Sequence, residues 1–142
     1  MLGKLAKRLR LLGLDVTYPK ISADSLLLRL SREEGRTILT RDSGLVKVRG
    51  ARAILIHSKK LSEQLREVIS ALKLKLSPQQ LFSRCAVCNG ELQRIKKEQI
   101  KDRVPPLIYQ IFDDFTYCPV CDKVYWKGTH FEKILMELDQ LK

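Results

Sequence analysis

Thr37-Ile38-Leu39-Thr40, with Asp42 close behind it, and Ala53-Ile54-Leu55-Ile56-His57 are two short, almost continuously apolar runs. Runs of this kind, bounded by charged and turn-forming residues, predict strands buried on both faces, as in a parallel sheet. Ser43–Val48 between them predicts a short helix. Upstream, Ser22–Glu34 predicts a longer one, with a Ser or Asp cap at its start, Leu26, Leu27 and Leu30 on its inner side and Gly35 as its stop. Downstream, Leu61, Leu65, Val68 and Leu72 share one side of an amphipathic helix over 61–72. At the N-terminus Leu2, Leu5, Leu9 and Leu12 fall on one helical face, with Lys4, Lys7, Arg8 and Arg10 away from it, and Gly13 ends the run. Asp15-Val16-Thr17-Tyr18, closed by Pro19, predicts one more short strand. Alternating helices and apolar strands predict an α/β layer structure with a mainly parallel sheet, whose ligands gather beyond the C-terminal strand ends.

After a boundary at Lys73–Pro78 the pattern changes to cysteine pairs, turns and a last helix over 131–141. Cys85-Ala86-Val87-Cys88 and Cys118-Pro119-Val120-Cys121 are two C-x-x-C knuckles, the spacing at which both thiolates of a pair reach one tetrahedral metal. Asn89-Gly90 supplies the turn after the first pair. A redox-active pair or two disulfides are the competing readings, and two matched pairs favour zinc. With cysteine at all four positions the ion has no open coordination site, so it is expected to be structural. Tyr117, Tyr125 and Trp126 beside the second knuckle either stack on bases or fill the small core.

The chain has 142 residues, 44% hydrophobic and 30% charged, which describes a folded chain and not a disordered tail. No apolar run approaches the roughly 20 residues of a membrane span. The Lys and Arg of the first helix are interleaved with Leu instead of preceding an apolar block, so it is expected to belong to the fold and not to a targeting peptide. A reducing, cytoplasmic setting follows as an expectation, with no membrane partner. Net charge is +11, and residues 1–82 carry 17 Lys and Arg against 7 Asp and Glu, whereas residues 83–142 carry 10 against 9. The excess therefore sits in the first part, where a polyanion is the natural partner.

Asp42 follows a predicted strand and Asp24 opens a predicted helix. At one edge of a parallel sheet they could hold Mg²⁺ or Mn²⁺ against a phosphodiester, or they could serve only as helix-end residues. His57 and His130 are candidate bases or ligands, but neither has a motif partner in the sequence.

Met1-Leu2-Gly3-Lys4-Leu5-Ala6, Leu9-Arg10-Leu11-Leu12-Gly13, Asp24 with Leu26-Leu27, and Leu39-Thr40-Arg41-Asp42 together resemble the Mut7-C family, a PIN-like ribonuclease domain. Phe82-Ser83-Arg84-Cys85, Cys88-Asn89, Val104-Pro105-Pro106, Cys118-Pro119 and Tyr125-Trp126-Lys127-Gly128-Thr129-His130 resemble the zinc ribbon that follows it. The resemblance implies a PIN-like α/β/α sandwich over residues 1–82 and a zinc ribbon with a C-terminal helix over 83–142. It implies metal-dependent cleavage of RNA, with Asp24 and Asp42 as Mg²⁺ or Mn²⁺ ligands and Arg41 as a phosphate contact. Lys4, Lys7 and Arg8 of the basic first helix would hold the RNA backbone. Family members usually carry a short strand ending in Asp ahead of the Met-Leu-Gly segment, and this sequence begins at Met1 of that segment. A non-catalytic RNA-binding adaptor and a protein–protein module are the other function classes; oligomeric state is not legible.

Overall fold

The computed structural model describes residues 2–20 and 23–141. Met1, and Ser22 as an expected cap, lie outside the described residues. The chain is mixed α/β and divides by packing into two units, one of residues 1–5 and 17–75, the other of residues 6–16 and 76–142.

In the first unit α2 (Asp24–Glu34) leads into β1 (Ile38–Thr40), α3 (Ser43–Val46), β2 (Ala53–Leu55) and α4 (Leu61–Leu72). β1 and β2 are parallel, with Ile38 opposite Ala53, Leu39 opposite Ile54 and Thr40 opposite Leu55. The Ile56 N–H donates to the Thr40 carbonyl at 2.7 Å, so both chains leave the pair at the same edge. α2 packs on β1, and α3 packs on both strands. Ile38, Leu45, Leu65 and Val68 are buried from β1, α3 and α4, and Ile56 is buried just past the end of β2. α2 ends at Gly35, in the left-handed conformation with φ 68°, and the buried Ser31 hydroxyl closes the turn by donating to the Arg36 carbonyl at 2.6 Å.

The second unit takes in most of α1 (Gly3–Leu11). It also holds the antiparallel sheet β3 (Gln93–Ile95), β4 (Phe115–Tyr117) and β5 (Val124–Trp126), in that order, with α5 (Pro106–Ile111) and α6 (Thr129–Leu141). Ile95, Phe115 and Trp126 lie across from one another on one sheet face. They pack with Ile100, Val104, Ile108 and Phe112, so the long segment between the knuckles folds back as the cover of its own sheet. The expected strand at Asp15–Tyr18 does not form. The Val16 N–H goes to Asn89 Oδ1 at 2.9 Å and its carbonyl accepts from Arg10 Nε at 2.8 Å, so side chains consume the groups a strand ladder would use.

α1 stops in a Schellman turn, with Leu14 N–H donating to the Leu9 carbonyl and Gly13 N–H to that of Arg10. Gly13 has φ 93°, and a β-carbon there would overlap the Gln80 carbonyl oxygen. Gly35 is also left-handed, yet a β-carbon there meets nothing within 4 Å. Gly13→Ala is therefore expected to cost about 2–4 kcal/mol in urea denaturation, and Gly35→Ala only about 1–2 kcal/mol. Equal losses at the two sites would contradict this packing.

Candidate functional site

The four cysteine sulfurs lie within 4.8 Å of one another, and Cys88 and Cys118 Sγ are 3.4 Å apart. A tetrahedral zinc with Zn–S of about 2.3 Å needs sulfur separations of about 3.8 Å, and a disulfide needs about 2.05 Å. The cluster therefore fits one metal ion and no disulfide.

The two knuckles are built alike. Cys85 N–H donates to the Gly90 carbonyl and Cys118 N–H to that of Lys123. Asn89 N–H returns to Cys85 and Asp122 N–H to Cys118. The residue after each second cysteine is left-handed, Asn89 at φ 72° and Asp122 at φ 59°, a conformation that short polar side chains tolerate. Backbone N–H groups of Gly90 and Cys121 point at Cys88 and Cys118 Sγ, both at 3.3 Å.

Each knuckle is also held by an arginine. The buried Arg10 donates from Nη1 to the Ala86 and Val87 carbonyls at 2.9 and 3.1 Å. Arg103 bonds the Asp122 carbonyl and, at 2.9 Å, its carboxylate. Cys85 and Cys118 are fully buried with Tyr125, whose hydroxyl accepts from the Ala86 N–H and lies 3.1 Å from Cys85 Sγ. Burial raises the Tyr125 pKa, so the phenol keeps its proton and donates to sulfur. Burial pushes the Cys85 thiol up, but hydrogen bonds from Tyr125, the Cys88 and Val87 N–H groups and Cys118 outweigh it and bring the pKa to about 7. Burial raises Cys88, and the Cys88 sulfur beside Cys121 pushes Cys121 up to about 12. Tyr125 thus supports the cysteine cluster, and the half-buried Trp126, its ring centre 6.4 Å from that of Phe115, packs the small core. His130 lies against Phe82, ring centres 6.0 Å apart.

Arg41 and Asp42 follow β1 and His57 follows β2, at the C-terminal edge of the strand pair. Asp42 is exposed and caps α3, its Oδ1 accepting from the Gly44 N–H at 2.9 Å. Asp24 is exposed as the first residue of α2, and Ala23, not a side-chain cap, precedes it. Arg41 is half-buried and donates from Nη1 to the Ser58 carbonyl at 3.1 Å. His57 has the partner that the sequence did not reveal. Glu67 on α4 accepts from the His57 N–H at 2.9 Å, from the Ser58 N–H at 3.2 Å, and meets His57 Nδ1 at 2.9 Å. The His57 N–H is the largest cause of a lowered Glu67 pKa. Among the described residues the four cysteines are the group of three or more metal-ligand side chains that converges.

A family model described as the Mut7-C RNAse domain matches residues 1–138. The chain belongs to the Mut7-C family. No curated protein and no solved structure matches it. Of the basic residues that the Mut7-C resemblance assigns to substrate, Lys4 and Lys7 are exposed, whereas Arg8 is paired with Glu137. Among the described residues no helix of this Mut7-C chain is long and apolar enough to cross a membrane.

The purified chain is expected to hold one zinc ion, and Cys118→Ser to abolish retention, as read by elemental analysis. Cys88 and Cys121 keep their protons in the metal-free chain, so zinc uptake releases protons and affinity rises from about pH 6 to about pH 8. Arg10→Met leaves the partly buried Val16, Ala86 and Val87 carbonyls without this donor and should cost about 1–3 kcal/mol in denaturant titration.

Proposed function

We propose that the chain is a ribonuclease that hydrolyses RNA phosphodiester bonds with Mg²⁺ or Mn²⁺, and that its zinc ribbon is structural. The Mut7-C RNAse match over residues 1–138 carries this reading, and the placement of Asp42 just past the C-terminal end of β1 supports it. In this reading residues 1–82 are PIN-like, Asp24 and Asp42 hold the divalent ion, and Arg41 contacts a phosphate. The ion, when bound, neutralises charge developing on the phosphate. Lys4 and Lys7 contact RNA phosphates, and Arg8 joins them on leaving Glu137. Free thiols fit a reducing, cytoplasmic setting.

A non-catalytic RNA-binding adaptor is the second reading. It is favoured by the Asp42 carboxylate being already engaged as a helix cap. Asn caps helices as well as Asp, so Asp42→Asn removes the charge while keeping the cap. With labelled single-stranded RNA, the Mn²⁺-stimulated cleavage is expected to vanish in Asp42→Asn and in EDTA. Intact RNA that shifts on a gel at low salt and is released as salt rises would replace the nuclease by the adaptor.

A further inference from the structure

Glu67 does two separable things at the strand edge. Its bonds to the His57 and Ser58 N–H groups close the turn after β2, a structural duty that any well-placed acceptor could fill. Its contact with His57 Nδ1 at 2.9 Å is additional. An ionised carboxylate can only accept, so Nδ1 carries the hydrogen of the neutral imidazole and the lone pair is on Nε2. The His57 side chain is 74% exposed, which leaves a tautomerically fixed base open to a ligand. Arg41, tied through Nη1 to the carbonyl of the very next residue, Ser58, brings a fixed cation to the same edge. A held imidazole, the carboxylate behind it and a neighbouring guanidinium are the groups that phosphoryl transfer needs when the nucleophile belongs to the substrate.

We propose that His57, oriented by Glu67 and assisted by Arg41, forms a metal-independent site that cleaves RNA by transesterification through the substrate's own 2′-hydroxyl. It rests on RNA being the substrate of the chain, and it is distinct from the acidic, metal-dependent route. His57 Nε2 takes the proton of the 2′-hydroxyl, and the 2′-oxygen forms a bond to phosphorus. The bond from phosphorus to the 5′-oxygen breaks, its electron pair stays on that oxygen, and a proton from the imidazolium or from water completes the 5′-hydroxyl. The upstream fragment ends in a 2′,3′-cyclic phosphate. Arg41 offsets the added charge on the phosphate oxygens. Glu67 is a positioning residue, holding the tautomer and stabilising the imidazolium.

The test is cleavage of an end-labelled RNA oligonucleotide by the full chain in excess EDTA, with fragment ends identified by mass. Slow cleavage leaving 2′,3′-cyclic phosphates, blocked by 2′-O-methyl substitution, is expected. His57→Asn should lower its rate by about 10²–10⁴ and Glu67→Gln by at least about tenfold, while His130→Asn keeps the wild-type rate. Because the His57 ring is exposed, His57→Asn leaves the backbone bonds to Glu67 in place, and circular dichroism should show an unchanged fold. Nitrogen NMR of the imidazole gives a readout apart from turnover: neutral His57 should be the Nδ1–H tautomer in the wild type and a mixture in Glu67→Gln. No cleavage in EDTA, linear phosphate ends, or wild-type rates in His57→Asn would overturn the proposal. Mn²⁺-stimulated cleavage sensitive to Asp42→Asn would then stand or fall by itself.

Discussion

The convergence of four sulfurs from two segments some thirty residues apart is the constraint on which the second unit depends. Its sheet has strands of three residues each, too short to be stable on their own hydrogen bonds, and its apolar core is small. A metal held by four thiolates would supply the missing folding free energy, but it would also concentrate negative charge in a buried place. The chain answers with donors. Tyr125 reaches Cys85, backbone N–H groups reach Cys88 and Cys118, and Arg10 and Arg103 hold the carbonyls of the first and second knuckle. Such outer contacts fix ligand orientation and tune the metal as much as the sulfurs do.

In the first unit a two-stranded parallel pair performs a different task. Its register brings the residues after Thr40 and after Leu55 out at one edge, which is why Arg41 meets the Ser58 carbonyl across seventeen positions of chain. α4 then delivers Glu67 to the same turn, and Gln64 adds a bond to the Ser58 carbonyl at 2.9 Å. A carboxylate, a guanidinium and an imidazole thus share an edge because three separate elements end or pass there, with no local motif joining them.

This also explains what could be read from the sequence. α4 matched its expected bounds and β1, β2 and α6 came within two residues, because periodicity and glycine stops are local signals. The cysteine cluster was legible because C-x-x-C spacing is itself the geometry of the site. The pairing of His57 with Glu67 was not legible, since a separation of ten positions hides which helix face turns back to the strand. Asp15–Tyr18 failed as a strand for a related reason: its backbone partners are Arg10 and Asn89, and Asn89 lies more than seventy residues away. For Trp126 and Tyr125 the sequence left base stacking and core packing open, and the sheet faces place one against Phe115 and the other against Cys85.

Arg10 bonds carbonyls that lie 76 and 77 residues further along the chain. On the ribosome, Arg10 is therefore made long before its acceptors exist, and Leu11 likewise waits for the Phe82 N–H that its carbonyl will accept. The local helices and the short-range crossover between β1 and β2 can form in the interval, being rich in near-neighbour contacts. The segment of residues 6–16 can reach its final surroundings only after the first knuckle has been translated. Nascent chains consequently carry the basic and apolar segment of residues 6–16 unfinished while the residues up to the first knuckle are made, a window in which a chaperone can act.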